Sequence, residues 1–167
     1  MKNTMQFDFI ADKKNNTITV RREFDAGRQL VWDCHTKSEL LDRWFAPKPF
    51  TTKTKSMDFR SGGQWHYAMI EPSGAEYWAI MSYDKVKPIE GYEGLDAFSN
   101  EAGDINPELP RSHWSVTFED RGERTMVQTI ATYKTLADLE QVLQMGMQEG
   151  LASTLEKLDE LLEKIAK

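Results

Sequence analysis

The stretch Thr135–Lys167 carries a single apolar stripe at helical spacing. Its members recur at intervals of four and three residues, which places them on one face of a helix: Leu143, Met147, Leu151, Leu155, Leu158, Leu162 and Ile165. Thr135 can cap the free N–H groups at the start, and the helix dipole favours Asp138 in the first turn. The pattern predicts one uninterrupted helix of about thirty residues, roughly 45 Å long.

Gly146 and Gly150 lie one turn apart on this predicted helix. Each costs about 1 kcal/mol relative to alanine in a helix interior. Two interpretations stay open. Either the missing side chains allow close packing against a strand or an aromatic ring, or they leave room for a ligand between the helix and a sheet.

The rest of the chain alternates in the way that β-strands do. Thr17–Phe24 is the first predicted strand, and its Arg22 either reaches inward to a carboxylate or lays its stem on the core edge. Six more strands follow, separated by turns: Phe50–Arg60, Gln64–Glu71, Glu76–Val86, Tyr92–Phe98, Ser112–Glu119 and Arg124–Tyr133. Short turns between consecutive strands imply antiparallel pairing.

Two short helices are predicted between the first and second strands, at Gly27–His35 and Ser38–Phe45. The run Ala46-Pro47-Lys48-Pro49 ends the second one, because proline cannot continue a helix. The element order β-α-α-β-β-β-β-β-β-α indicates the α+β class. We expect residues 1–16 to be an N-terminal lead-in segment and residues 17–167 to form a single domain.

Composition argues against several classes of function, namely nucleic-acid binding, secretion and membrane insertion. The chain has 167 residues, a net charge of −6 and a pI near 5.2, which argues against a nucleic-acid-binding surface. The N-terminus lacks a long apolar run, so we expect no signal peptide and no membrane insertion. A lone Cys34 excludes an internal disulfide and is compatible with the cytoplasm.

Three stretches carry a resemblance to a known family: FDAGRQLVWDCHTKSELLDRWFAPKPF, RSGGQWHYAMIEPSGAEY and MGMQEGLASTLEKLDELL. In order and spacing, residues 17–165 resemble the START-like (SRPBCC) superfamily, and most closely the branch similar to the C-terminal domain of the activator of Hsp90 ATPase. Gly27 departs from the proline that relatives commonly have at this helix start. The resemblance implies the helix-grip fold, a curved antiparallel sheet wrapped around a long C-terminal helix.

That fold implies a cavity between sheet and helix, and strand alternation nominates its walls. For Glu76–Val86 both faces are apolar, so the inward set stays open between Tyr77/Ala79/Met81 and Trp78/Ile80. The predicted ligand-binding cavity consists of Trp44, Trp65, Tyr67, Met69, Tyr77, Met81, Trp114, Phe118, Leu143, Met147, Gly150 and Leu151. The alternative is that these side chains meet and leave no usable space.

Catalytic chemistry has little support in the sequence. The three histidines, His35, His66 and His113, form no spacing typical of zinc ligands. His66 and His113 alternate with apolar neighbours, so both are expected to face away from the core. We therefore predict no catalytic residue, no metal and no cofactor.

Three functions remain. The leading hypothesis is non-enzymatic binding of a small hydrophobic molecule, a lipid or an aromatic compound, in the cavity. The resemblance alone favours the second, an Hsp90-type chaperone ATPase regulator. The third is a cyclase- or hydratase-like enzyme, with five candidate polar residues: Arg22, Asp58, Tyr67, Glu76 and Gln128. A perturbed carboxylate beside the cavity would favour this third function. An exposed edge strand would also permit a homodimer.

Overall fold

The computed structural model of the protein describes residues 6–166 and contains one antiparallel sheet and four helices. The strands are β1 (Phe7–Asp12), β2 (Thr17–Phe24), β3 (Thr51–Met57), β4 (Gln64–Ile70), β5 (Glu76–Lys87), β6 (Gly91–Ser99), β7 (Ser112–Arg121) and β8 (Arg124–Tyr133). The helices are α1 (Arg28–Thr36), α2 (Ser38–Leu41), α3 (Leu136–Gln144) and α4 (Met147–Ile165).

The eight strands form one open sheet in the order β1-β2-β8-β7-β6-β5-β4-β3. Every neighbouring pair is antiparallel, and short turns connect most of them. Within residues 6–166 the chain crosses the sheet once, from β2 through α1 and α2 to β3 at the far edge. This arrangement confirms the predicted α+β helix-grip architecture.

Helix α4 lies on the inner face of the sheet through the apolar stripe seen in the sequence. Leu158 and Leu162 of the stripe, together with Leu161 beside it, are buried in a core cluster that also takes side chains from α1, α2 and the central strands. A second cluster, around Ile18 and Leu139, lies under α3 and the start of α4. The candidate site lies between the two clusters and is lined by residues of both.

The prediction of one continuous helix was wrong at Gly146. This residue has a φ of +87°, in the left-handed region that favours glycine, and it separates α3 from α4. The apolar spacing continues across the break, so the stripe gave no warning of it. The predicted start is confirmed, since the Thr135 hydroxyl accepts a hydrogen bond from the Asp138 N–H at 3.1 Å.

The structure adds a strand in the segment expected to be a lead-in. β1 pairs with β2 in register, with Phe9 opposite Val20, and forms one edge of the sheet. Helix α2 is shorter than predicted, because turns replace the helix after Leu41. The remaining strand boundaries agree with the predicted ones to within about three residues.

The outer face of the sheet is not uniformly exposed to solvent. His66 faces away from the core as predicted, but it is only 5% exposed, because the loop after β6 covers it. Its Nε2 lies 3.1 Å from the carbonyl oxygen of Asn100, and its ring packs 5.0 Å from that of Trp78. His113 lies on the outer face too, 3.4 Å from Glu93, and keeps 41% of its side chain exposed.

Candidate functional site

A cavity of about 90 Å³ lies between the inner face of the sheet and helix α4, next to α1 and α2. Strand alternation and the helical stripe together place side chains on its walls. Six of the twelve predicted residues line it: Trp44, Trp65, Tyr67, Met81, Trp114 and Leu151. The open question about β5 is therefore settled, because Met81 and Tyr83 point inward and Trp78 lies on the outer face.

The other six predicted residues lie around the cavity and not on its lining. Met69 packs at the margin of the main core cluster, and Phe118 is buried within it, against Trp32 and His35. Tyr77 has the inward alternation but is 47% exposed, near the start of β5. Leu143 and Met147 pack on the second cluster.

Gly150 does not open the cavity. A Cβ added at this position would lie 3.9 Å from Pro47 Cγ, in ordinary contact with the loop that follows α2. Neither interpretation of the glycine pair fits the structure, because Gly150 has room for a Cβ and Gly146 is required for its left-handed φ of +87°.

Sequence reasoning did not nominate most of the polar residues on the lining. They are His35 from α1, Tyr83 from β5, Tyr92 and Asp96 from β6, Thr129 from β8 and Thr154 from α4. Alternation would have found Asp96, because it shares its face with Tyr92. Asp96 was nevertheless missed, because a charged residue within a predicted strand is usually assigned to the solvent face.

Aromatic contacts hold one wall of the cavity. Trp65 and Tyr67 stack with ring centroids 3.8 Å apart and an interplanar angle of 18°. Phe45 meets both rings edge-on, at 5.0 Å and 5.5 Å. Such contacts contribute about 0.5–1.5 kcal/mol each beyond burial, so this wall resists collapse into the cavity.

Asp96 places a carboxylate in an otherwise largely apolar wall. Its Oδ1 accepts hydrogen bonds from the Ser112 N–H at 2.7 Å and the Ser112 hydroxyl at 2.9 Å, and its Oδ2 accepts one from Trp114 Nε1 at 3.0 Å. Burial raises the pKa of Asp96, and the hydrogen bonds from Ser112 and Trp114 oppose that rise. Arg111 is directed to the backbone, since its Nε donates to the Asp96 carbonyl oxygen at 3.1 Å.

His35 is a second titratable group on the lining. Its Nδ1 lies 2.8 Å from the Val31 carbonyl oxygen, and because a carbonyl can only accept, Nδ1 carries the proton. Burial against Trp44 and Phe118 lowers the pKa of His35 to about 4. The ring is therefore neutral at pH 7, and its Nε2 is an acceptor.

Burial also raises the pKa of Tyr67, Tyr83 and Tyr92, so their hydroxyls stay neutral. The Thr154 hydroxyl donates to the Gly150 carbonyl oxygen at 2.9 Å. The cavity can therefore bind an apolar body and offer hydrogen bonds to it.

The acid–base candidates named from the sequence are scattered. Only Tyr67 lines the cavity. Arg22 reaches inward to a carboxylate, 3.4 Å from Asp159 on α4, so the first of its two interpretations is correct. Asp58 pairs with exposed Arg60 at 2.7 Å, Glu76 is exposed, and Gln128 lies opposite Arg21.

Between residues 6 and 166, no three His, Cys, Asp or Glu side chains come close enough together to hold a metal ion. No helix in the same range is both long and apolar enough to cross a bilayer.

A family model of the activator of Hsp90 ATPase homolog 1-like protein matches residues 25–163, which is most of the chain and includes nearly every lining residue. The chain belongs to this family. The resemblance seen in the sequence is thereby confirmed. No curated protein matches the chain.

Several solved structures are similar to this family member over almost their whole length. Protein Ms6760 from Mycobacterium smegmatis is 28% identical, with a TM-score of 0.86 over 95% of this chain and 97% of its own. A protein from Staphylococcus epidermidis is 30% identical, with a TM-score of 0.82 over 92% and 93%. One from Arthrobacter aurescens is 25% identical, with a TM-score of 0.89 over 94% and 91%.

Proposed function

We propose that this protein binds a small, mainly apolar molecule of about one ring in the cavity between the sheet and α4. The observation that supports the proposal is the cavity itself. It remains open although Leu151 and Leu155 of α4 pack near Trp114 on the sheet. Its volume of about 90 Å³ lies below the 300–1,000 Å³ typical of sites for drug-sized ligands. We therefore favour a compact aromatic ligand over a long-chain lipid.

The apolar area that a ligand buries in the cavity limits its expected affinity. An aromatic ring buries roughly 150 Å², which at about 25 cal/mol per Å² gives about 4 kcal/mol before the costs of association. A free energy of that size corresponds to a Kd of about 1 mM, and the costs of association make the expected Kd higher. Detection therefore requires a method suited to weak binding, such as NMR titration.

Toluene is a suitable probe, since it has one ring and no hydrogen-bonding group. We expect it to shift the indole N–H signals of Trp65 and Trp114 in a saturable manner. Leu151→Phe should abolish those shifts by filling the cavity. Leu136→Phe makes the same change at a residue that is 40% exposed and off the lining, so it should leave them intact. Equal binding by wild type and Leu151→Phe would refute the cavity as the site.

A second candidate is an enzyme of the cyclase or hydratase kind that uses the same cavity. The specific observation in its favour is Asp96, a largely buried carboxylate of raised pKa on the lining. In this role Asp96 would exchange a proton with a bound substrate. Turnover that Asp96→Asn abolishes, with ligand binding retained, would move the enzyme ahead of simple binding.

Only the description of the family supports the third candidate, regulation of an Hsp90-type chaperone ATPase. An ATPase assay with a cognate Hsp90 tests this, and clear stimulation would reverse the ranking.

A further inference from the structure

Three polar side chains on the cavity lining offer a ligand only acceptor atoms, whereas the hydroxyls of four others can both donate and accept: Tyr67, Tyr83, Tyr92 and Thr129. The proton that each of three lining side chains could offer is either absent or already used within the protein. Asp96 has no proton when ionised, His35 uses its Nδ1 proton on Val31, and Thr154 uses its hydroxyl proton on Gly150. What these side chains still offer a ligand is lone pairs.

Asp96 is the strongest of these acceptors. An ionised carboxylate has about four acceptor positions, and Ser112 and Trp114 occupy three of them. One position on Oδ2 is left, and the Asp96 side chain is part of the cavity lining. Hydrogen bonds to ionised groups are about twice as strong as neutral ones, so a donor placed there would add substantially to affinity.

The negative charge of Asp96 also favours a ligand with a hydrogen-bond donor over an anionic ligand. The guanidinium of Arg111 donates to the backbone oxygen of Asp96, and its positive charge favours the ionised carboxylate, but the hydrogen bonds to the carboxylate itself come from neutral donors. An anionic ligand would meet this carboxylate at close range, in a setting where little water screens the repulsion. A ligand with an N–H or O–H group would relieve an unfilled acceptor.

We propose that the ligand of this cavity is a compact apolar molecule with a hydrogen-bond donor, an amine or a hydroxyl, which it presents to Asp96 Oδ2. The inference rests on the proposed binding function and names the chemical class that the site selects. Amines and hydroxyls both meet this requirement when they are attached to a single ring or to an apolar group of similar size.

Four single-ring probes separate the possibilities at pH 7.5: toluene with no donor, phenol with a neutral donor, benzylamine with a cationic donor, and benzoate with an anion. The reporter is the Trp114 indole N–H signal, because this N–H bonds directly to Asp96. Wild type is compared with Asp96→Asn. Asp84→Asn is the matched control, since Asp84 is exposed and lies 3.9 Å from His113 on the outer face.

We expect phenol or benzylamine to bind wild type at least about tenfold more tightly than toluene, and benzoate more weakly than toluene. Asp96→Asn should remove the tenfold preference, and Asp84→Asn should keep it. Whichever of phenol and benzylamine shows the larger preference identifies the headgroup as neutral or cationic.

The two proposals fail in different ways. If toluene binds as tightly as both donor probes and Asp96→Asn changes nothing, the donor inference is overturned and the binding cavity stands. If none of the four probes perturbs the Trp114 signal, the proposed function itself is overturned. Should Asp96→Asn not fold, the ranking of the four probes on wild type still decides the inference.

Discussion

The indole N–H of Trp114 is shared between Asp96 Oδ2 at 3.0 Å and Ser112 Oγ at 2.6 Å, and Trp114 and Asp96 both line the cavity under α4. The two side chains come from adjacent antiparallel strands, β6 and β7, and the inward alternation of each strand brings them together. The contact ties the carboxylate of the cavity lining to a tryptophan on the neighbouring strand.

Trp114→Phe removes that donor and keeps an aromatic ring. Because the donor serves a largely buried ionised group, we expect the variant to lose about 2 kcal/mol of stability in urea denaturation at pH 7. Trp78→Phe is the control, since Trp78 lies on the outer face beside His66. A loss no larger for Trp114→Phe than for Trp78→Phe would contradict the role given to the hydrogen bond.

His35 should make stability depend on pH. Its pKa falls from 6.5 when unfolded to about 4 when folded, so between these values the unfolded chain binds more protons. Wild type should therefore lose about 3 kcal/mol relative to His35→Gln as the pH drops from 6.5 to 4. The opposite contribution of Asp96, whose raised pKa favours the folded state at low pH, is common to both proteins and cancels. Parallel stability curves from pH 7 to pH 4 would disprove the assignment.

Gly146 and Gly150 should respond oppositely to the same substitution. Gly146→Ala should destabilise by about 1–2 kcal/mol, because the φ of +87° at this position strains any residue with a Cβ. Gly150→Ala should stabilise by about 0.5–1 kcal/mol, because the residue is helical and its new Cβ would meet only Pro47 Cγ at 3.9 Å. Thermal unfolding of both variants checks the pair, and shifts of the same sign would contradict this account of the helix break.

Gly27→Pro should stabilise the start of α1. Gly27 has a φ of −68°, which proline adopts without strain, and no atom lies within 4 Å of the position of its Cβ. Restricting the unfolded chain should contribute about 0.4–1 kcal/mol, or a Tm increase of about 2–4 °C at the upper end. Gly74→Pro, at a φ of +97°, should do the reverse. A lower Tm for Gly27→Pro would show that the chain before α1 cannot accept the ring.

Most of the sheet could be predicted from the sequence, because a strand with one buried face shows alternating apolar and polar residues. β1 was missed because it is an edge strand: Asp8 and Asp12 interrupt its apolar pattern, and Ile10 is 56% exposed. The break at Gly146 was missed because Leu143 and Met147 keep the helical spacing across it.

The candidate site was only half predictable. Alternation gives the face of a strand but not how far along the strand the cavity extends. Met69 and Tyr77 therefore share the inward alternation of Tyr67 and Met81 and yet lie beyond the lining. His35 was missed for another reason, because its burial depends on neighbours far away in the chain, such as Phe118. Asp96 was missed because a carboxylate within a strand is usually assigned to the solvent face.

The central claim is that a small ligand enters the space under α4. The most direct test is to measure intermolecular NOEs between phenol and protein labelled at leucine methyl groups. The account predicts NOEs to Leu151 and Leu155, which line the cavity, and none to exposed Leu136. NOEs confined to exposed leucines, or none at all at millimolar phenol, would contradict it.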